Sequence, residues 1–178
     1  MHIDQVRTIA VVGAGNMGHQ IATLCALQGF RTRCTDVSAP ALARAEAFVE
    51  DYLPGRVAKQ KLTAEAAREA RANLVFTPRL EEAVAEADVV IEAAVEVLEV
   101  KRRVFADLDR LAPPRAVLAT NSSAIVSSRI ADATRRPDKV LNLHFFNPAL
   151  VRKLVEVVQG PHVSEETAFF QAEDGIRD

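Results

Sequence analysis

The sequence predicts a doubly wound α/β fold built on a mostly parallel sheet. Short apolar runs rich in Val, Ile, Leu and Ala alternate along the chain with segments of helical spacing. A glycine-rich turn joins the first apolar run to the first helical segment, and polar residues follow several of the later runs. Parallel strands joined by right-handed crossovers end at one edge of a sheet, so we expect ligands to bind at that edge.

The individual elements follow from these patterns. The predicted strands are 8–12, 31–36, 73–78, 87–93, 116–120, 139–144 and 154–158. The predicted helices are 19–27, 39–51, 64–72, 81–86 and 98–111, and a short helix is expected within 124–133. Pro54 and Gly55 are expected to interrupt the second helix, and Thr63 is expected to cap the third. Two consecutive helices exceed what one crossover needs, which predicts a helical hairpin insertion. The helix 98–111 is expected to bury a face made of Val100, Val104, Leu108 and Leu111.

The composition is that of a globular domain without an electrostatic partner. The 178 residues are 49% hydrophobic and 26% charged, with a net charge of −2. This balance, with 5% aromatic residues and no Trp, argues against binding to nucleic acid or to an anionic membrane. Cys25 and Cys34 are too few for a disulfide framework, and no metal-ligand cluster is visible. Without a signal-peptide pattern or a membrane-spanning run, we expect a cytoplasmic protein.

The glycine-rich turn is a Gly-x-Gly-x-x-Gly motif between a strand and a helix. Gly13 would permit a tight turn, Gly15 would let a pyrophosphate approach the backbone, and Gly18 would let the helix pack on the strand. The motif alone is also compatible with an ordinary glycine turn. Asp36, at the end of the second strand, supplies the acidic residue that dinucleotide-binding domains use to bind a ribose. No arginine follows Asp36 directly, which favours NAD over NADP.

Four groups of polar residues lie just beyond predicted strand ends, where this fold places function. They are Glu96, Ser123, His144 with Asn147, and Glu156. Histidine suits proton transfer near neutral pH, and Glu156 on the next strand would hold the His144 ring in one tautomer. Spacing alone leaves open that His144 is a core residue with a satisfied hydrogen bond.

Several segments resemble the NAD-binding domain of the L-3-hydroxyacyl-CoA dehydrogenases, enzymes of fatty-acid β-oxidation, and their 3-hydroxybutyryl-CoA relatives. The segments are the glycine loop with Asn16 and Met17, then 92–101, 120–123, 144–148 and 153–157. The likeness spans roughly residues 8–160, and the His-Phe-Phe-Asn-Pro segment is its most specific part. Where the family usually has Asn-Thr-Ser-Ser, this chain has Asn-Ser-Ser-Ala at 121–124, which retains Ser123.

The resemblance implies catalytic roles for three residues. His144 would take the proton of the substrate C3 hydroxyl while the C3 hydride passes to NAD. Glu156 would orient His144 and stabilise its charged form. Ser123 would hydrogen-bond the substrate oxygen near the nicotinamide. Ser123 is also compatible with a helix N-cap.

The resemblance also implies cofactor contacts. Asn147 would lie by the nicotinamide, and Glu96 and Lys101 would contact the ribose and carboxamide side. Asn147 before a proline is equally a turn residue, and Glu96 and Lys101 are also compatible with a solvent-facing ion pair. Lys59 and Lys61 fit either CoA phosphates or a solvated basic face.

The resemblance sets the domain organisation as well. Residues 1–170 would form a Rossmann-type NAD-binding domain, and we expect the all-helical C-terminal domain through which the family forms its homodimer to be missing from this chain. Residues 171–178 resemble the translation of a sequencing-adapter oligonucleotide and are expected to be a non-native tail, with a natural polar tail as the alternative. The expected partner is an acyl-CoA substrate. Two alternatives remain: an NAD-binding module without turnover, or a dehydrogenase of a different 3-hydroxy acid.

Overall fold

The structure is a computed structural model that describes residues 3–152 and 154–168. The predicted tail, 171–178, therefore lies outside the described residues, as does Lys153. Within the described part, no helix combines the length and the hydropathy needed to cross a membrane.

The described residues form one seven-stranded sheet of the predicted doubly wound type. Its strands are β1 (Thr8–Val12), β2 (Arg31–Thr35), β3 (Leu74–Thr77), β4 (Val89–Glu92), β5 (Val117–Thr120), β6 (Val140–Phe145) and β7 (Val155–Val158). The spatial order is β3-β2-β1-β4-β5-β6-β7, and every neighbouring pair is parallel except β6 and β7. β7 follows β6 through a short connection without a crossover helix, so it returns antiparallel. The strand order reverses between β1 and β4, where this fold binds ligands.

Helices cover both faces of the sheet. They are α1 (Asn16–Leu27), α2 (Ala39–Ala58), α3 (Ala64–Ala72), α4 (Leu80–Val84), α5 (Leu98–Leu111) and α6 (Glu165–Ala168). Alternate residues of β1 divide between the two layers: Ile9 and Val11 pack with α1, α2 and α3, whereas Ala10 and Val12 pack with α4 and α5. Burial on both faces explains why this strand is a continuous apolar run.

The helical hairpin insertion is confirmed, but one prediction about it is wrong. α2 continues through Pro54 to Ala58 instead of being interrupted. Pro54 lies on the exposed side, whereas Val49 and Leu53 on the inner side are buried in the core. Their packing outweighs the backbone hydrogen bond that a proline cannot make. The Thr63 cap of α3 is confirmed, since its Oγ1 accepts a hydrogen bond from the Ala66 N–H at 3.1 Å.

Two further predictions need correction. Residues 124–133 do not form one α-helix but two 3-10 turns, Ser127–Arg129 and Ala131–Ala133. The Ser127 N–H donates a hydrogen bond to the Asn142 side-chain oxygen at 2.8 Å. In an α-helix the same N–H would donate to a backbone carbonyl four residues earlier, so this tertiary contact replaces a helical one. In α5 the predicted face is only partly correct: Leu108 is buried and Val104 and Leu111 pack against the core, but Lys101 and Phe105 are the other fully buried residues. The inner face is therefore rotated away from Val100.

Candidate active site

The glycine loop between β1 and α1 has a geometry that only glycine allows at two positions. Gly13 has φ +105°, and a Cβ there would lie 2.7 Å from the Ala93 carbonyl oxygen. A Cβ on Gly18 would lie 1.7 Å from the Gly13 carbonyl oxygen, well inside any tolerable contact. The first and third glycines therefore permit the turn and the close packing of α1 on the strand.

The middle glycine leaves space for a ligand. A Cβ built on Gly15 would meet no atom within 4 Å, so the backbone there is open to a close approach. Gly15 is also the N-cap residue of α1 and has no side chain to satisfy the first N–H groups of the helix. An open glycine before uncapped helical N–H groups is a suitable cradle for a pyrophosphate.

Asp36 lies directly after β2 and is tied to this loop. Its Oδ2 accepts a hydrogen bond from the Ala14 N–H at 2.7 Å, and its Oδ1 accepts one from the Ser38 N–H at 2.8 Å. Each carboxylate oxygen keeps a free lone pair for a ribose hydroxyl. The contact with Ala14 adds a role in ordering the glycine loop that the sequence did not indicate.

The carboxyl ends of β1, β4, β5 and β6 surround a cleft of about 440 Å³. The cleft brings together most of the residues predicted for the site: Asn16, Met17, Glu96, Lys101, Ser123, His144 and Asn147. It begins at the start of α1 and extends to the end of β6, which are far apart in the sequence. The sheet therefore places the glycine loop and the histidine on one continuous surface.

His144 and Glu156 face each other across the antiparallel pair β6 and β7. The two residues are direct partners in the strand register, and His144 Nδ1 lies 3.3 Å from Glu156 Oε2. A carboxylate only accepts hydrogen bonds, so the neutral ring carries its proton on Nδ1 and keeps a lone pair on Nε2. The His144 side chain is 21% exposed. The ring is oriented by Glu156 and packs on the Phe146 ring at a centroid distance of 4.6 Å.

The two serines after β5 have different roles. Ser122 is buried, and its Oγ accepts a hydrogen bond from the Ile125 N–H at 2.7 Å while donating one to Glu96. Ser122 thus makes the cap that the sequence also allowed for Ser123. Ser123 is exposed and lines the cleft. Among residues 3–152 and 154–168 its hydroxyl has no hydrogen-bond partner, so it is available to a ligand.

Lys101 is not part of a solvent-facing pair. Its side chain is 1% exposed, and Nζ lies 2.9 and 3.0 Å from the two carboxylate oxygens of Glu92 and 3.3 Å from Glu96 Oε2. These three contacts match the three protons of the ammonium group. A direct contact between Lys101 and a cofactor would therefore require the lysine to exchange one of these acceptors.

Glu96 is the exposed end of this cluster. Burial opposes the ionisation of Glu96, but the Ser122 hydroxyl and the Lys101 ammonium outweigh that effect and hold the pKa of Glu96 below its usual range. Glu96 is therefore an anion at the cleft surface, with hydrogen-bond acceptors suited to a ribose hydroxyl.

Comparison with known proteins places the chain in a family. Residues 8–173 match the family described as "3-hydroxyacyl-CoA dehydrogenase, NAD binding domain". The chain belongs to this family.

Two curated relatives illustrate the match. The chain is 46% identical over 155 residues to 3-hydroxyadipyl-CoA dehydrogenase of Escherichia coli K12, covering 87% of the chain and 32% of the relative. It is 38% identical over 167 residues to 3-hydroxybutyryl-CoA dehydrogenase of Bradyrhizobium diazoefficiens, covering 94% of the chain and 56% of the relative. The chain thus spans about a third to just over half of the length of these relatives.

Solved structures agree with this family assignment. A 3-hydroxybutyryl-CoA dehydrogenase from Escherichia coli K12 matches with a TM-score of 0.88 and 44% identity, over 92% of this chain and 34% of that one. Mycobacterium tuberculosis FadB2 matches with a TM-score of 0.87 and 36% identity, over 92% of this chain and 57% of that one. The doubly wound fold and the family resemblance predicted from the sequence are therefore confirmed, and NAD is the cofactor of the family.

Sequence reasoning missed three polar residues that support the site of this NAD-binding domain. Glu92 was assigned to a buried strand and to the segment 92–101 of the resemblance but was given no role, although a carboxylate inside an apolar run signals a buried partner. Asn142 is buried and bonds through Nδ2 to the carbonyl oxygens of Ser122 and Ile125 at 3.3 and 3.2 Å. Asn121 accepts a hydrogen bond from the Phe145 N–H at 2.9 Å. The two asparagines tie the serine loop to the strand of His144.

The other face of β6 and β7 has a different character. A groove of about 1020 Å³ there is lined mainly by apolar side chains, including Leu143, Phe145, Val155 and Val157. Successive strand residues point to opposite faces, so His144 and Glu156 lie on the face away from this groove. The groove is larger than the cleft of the NAD-binding domain, but it has few polar groups for chemistry.

Proposed function

We propose that the whole protein oxidises L-3-hydroxyacyl-CoA to 3-oxoacyl-CoA with NAD, and that this chain supplies the NAD site and the proton-transfer pair. The observation that carries the proposal is His144, held by Glu156 through Nδ1, on the cleft that starts at the glycine loop. Supporting evidence comes from relatives named 3-hydroxyadipyl-CoA and 3-hydroxybutyryl-CoA dehydrogenase.

The residues of the cleft suit the two halves of NAD. The open backbone at Gly15 and the start of α1, with Asn16 and Met17, would receive the pyrophosphate. Asp36 would accept hydrogen bonds from the adenosine ribose and repel a 2′-phosphate. The remaining polar side chains of the cleft would then hold the nicotinamide half: Glu96, Lys101, Ser123 and Asn147.

The reaction removes a proton and a hydride from one secondary alcohol. When bound, NAD would supply the acceptor for the hydride that leaves C3. The Nε2 lone pair of His144 accepts the proton of the C3 hydroxyl, and the alcohol becomes a ketone. The imidazolium that forms is stabilised by the Glu156 carboxylate, and Ser123 donates a hydrogen bond to the reacting oxygen. In the reverse direction His144 returns the proton to the forming alkoxide.

The cellular context is part of this proposal. Burial raises the pKa of Cys25 to about 12, and burial together with the nearby Asp36 carboxylate raises the pKa of Cys34 to about 12. Two free, buried thiols favour a reducing compartment such as the cytoplasm. The resemblance further supports a homodimer for the whole protein, formed through a helical domain beyond this chain.

Oxidation of NADH with acetoacetyl-CoA, followed by the absorbance of NADH, tests the proposed activity. His144→Ala should lower the rate about 10²–10⁴-fold, because it removes the group that carries the proton. NADH binding should be unchanged. His162→Ala is a matched control, since His162 bonds to the Val140 carbonyl oxygen outside the cleft. If the unaltered chain turns over acetoacetyl-CoA, an equal rate for His144→Ala would contradict the role of His144.

A second function is an NAD-binding module without turnover. The observation in its favour is that the chain spans only 32% of the length of one relative and 56% of another. The same assay separates the two functions. A module would bind NADH in both the unaltered chain and His144→Ala, with no turnover in either.

A further inference from the structure

Glu92 is a fully buried carboxylate directly beneath the cleft. It ends β4 and has 0% exposure, while the next two residues, Ala93 and Ala94, line the cleft. Glu92 itself is not among the lining residues. A carboxylate removed from water is costly unless it is paired and hydrogen-bonded, so its partners show what it holds in place.

Three segments of the chain supply those partners. The Ala94 N–H donates to Oε1 at 2.7 Å from the loop after β4. Lys101 Nζ donates from α5 at 2.9 and 3.0 Å, and the Thr120 hydroxyl donates to Oε2 at 2.7 Å from the end of β5. Glu92 thus joins the loop after β4, the helix α5 and the strand β5 at one point.

Two routes lead from Glu92 to the serine loop. Along one route, Lys101 also holds Glu96 at 3.3 Å, and Glu96 accepts the hydrogen bond from the Ser122 hydroxyl. Along the other, Thr120 Oγ1 accepts a hydrogen bond from the Ser122 N–H at 3.2 Å. Ser122 directly precedes Ser123, whose hydroxyl faces the cleft. Glu92 is therefore connected to Glu96 and, through Ser122, to Ser123, although it does not line the cleft itself.

We propose that Glu92 is a positioning residue for the nicotinamide half of the NAD site. This inference rests on the proposed function, which orients the nicotinamide towards Glu96 and Ser123. The adenosine half is held by different hydrogen bonds, those of Asp36 with the Ala14 and Ser38 N–H groups. One Glu92 partner, the Ala94 N–H, also lies against Gly13 of the glycine loop, whereas Lys101 and Thr120 lead to the serine loop. Loss of the Glu92 carboxylate should therefore weaken mainly the nicotinamide half of the cofactor site.

Binding of NADH and of ADP to the 178-residue chain separates the two halves. ADP contains the adenosine and the pyrophosphate but no nicotinamide or second ribose. In Glu92→Gln the amide N–H₂ would face the Lys101 ammonium, so the cluster would rearrange. The Kd of NADH should rise about tenfold, whereas the Kd of ADP should change less than about twofold. NADH fluorescence and titration calorimetry measure the two constants.

Thr120→Val is a milder variant that keeps the ion pair. It removes one hydrogen bond to Glu92 and the acceptor of the Ser122 N–H, while the valine side chain has nearly the same shape as threonine. The Kd of NADH should rise about threefold with the Kd of ADP unchanged. Glu92→Asp keeps the charge, so it should recover part of the NADH affinity that Glu92→Gln loses. These variants keep the test valid if Glu92→Gln does not fold.

Asp88→Asn is the matched control. Asp88 directly precedes β4, at the opposite end of the same strand, and is also hydrogen-bonded and ion-paired. This variant should lower stability and leave the ratio of the two constants unchanged. The positioning role would be overturned if the ratio of the NADH Kd to the ADP Kd stayed unchanged in both Glu92→Gln and Thr120→Val, whether or not the two ligands bound more weakly. Failure of the unaltered chain to bind either ligand would instead overturn the proposed function, and the positioning role with it.

Discussion

The two ends of strand β4 each carry a buried carboxylate, but the two carboxylates organise different parts of the molecule. Asp88 precedes the strand and accepts hydrogen bonds from the Arg7 and Thr8 N–H groups at 2.9 and 3.0 Å. Its ion-pair partner Arg115 lies at 3.0 Å and is 57% exposed. Glu92 ends the strand, and its partner Lys101 is 1% exposed.

The difference lies in what the partners do next. The Asp88 carboxylate contacts the backbone N–H groups of Arg7 and Thr8, at the start of β1, and the exposed guanidinium of Arg115. The contacts of Glu92 continue through Lys101 to Glu96 and on to the loop of Ser123. Parallel strands end together, so a charge at the carboxyl end lies beside the ligand cleft, whereas a charge at the amino end has only the fold to support.

The largest difference between the two ends should appear in stability. Glu92→Ala should lower the free energy of unfolding by about 3–5 kcal/mol, because it leaves the Lys101 ammonium buried without its main partner. Asp88→Ala should cost only about 1–3 kcal/mol, because Arg115 can turn to water. The chain has no Trp, so urea unfolding is followed by circular dichroism. Equal losses would remove the distinction between the two ends.

Asp88, at the amino end of β4, should also govern how the free energy of unfolding changes in acid. Burial opposes the ionisation of Asp88, but the Arg7 and Thr8 N–H groups and the Arg115 guanidinium outweigh it and hold the pKa of Asp88 below its usual range. Its stabilising contribution is therefore present above the unfolded pKa of about 3.9 and is lost as the pH falls through the lower folded pKa.

Unfolding curves between about pH 5 and pH 2 measure this contribution. Asp88→Asn should lose less stability over that range than the unaltered chain does. The same acid dependence in both proteins would show that Asp88 is not the titrating group. Asp109, whose pKa is also held low against burial by Arg135 and Arg136, would then be the next carboxylate to replace.

Asp36, which follows the carboxyl end of β2, should control the choice between NAD and NADP. Asp36→Ser removes the charge that repels a 2′-phosphate, so the preference for NAD over NADP should narrow about tenfold. Binding of NADH and NADPH to both proteins gives the ratio, and an unchanged ratio would remove the role assigned to Asp36.

The smallest expected effect is the difference in stability between variants of the adjacent serines, Ser122 and Ser123. Ser122→Ala should cost about 1 kcal/mol of stability, because it removes the cap on the Ile125 N–H. Ser123→Ala should leave stability within about 0.5 kcal/mol, since its side chain is exposed. Ser123→Ala should instead slow turnover of acetoacetyl-CoA. Urea unfolding and the NADH assay give the two readouts, and a reversal of the stability order would contradict the assignment of the cap to Ser122.

Local patterns were sufficient for most of the elements. The limits of α3 and α5 agree with the predicted 64–72 and 98–111, because caps and terminal prolines act within a few residues. The continuation of α2 through Pro54 was not predictable, since it depends on buried contacts of Val49 and Leu53 with distant parts of the chain. The 3-10 turns after Ser123 depend in the same way on Asn142, which lies on another strand.

Periodicity and glycine geometry, which are local, were enough to predict the doubly wound fold, the glycine loop and the residue types of the cleft. Three features could be seen only once distant segments were packed together. They are the cap that Ser122 makes, the burial of Lys101, and the joining of three segments by Glu92 beneath the cleft. Hydrogen bonds of a buried polar group are made wherever the fold brings a partner, and spacing along the chain does not encode that partner.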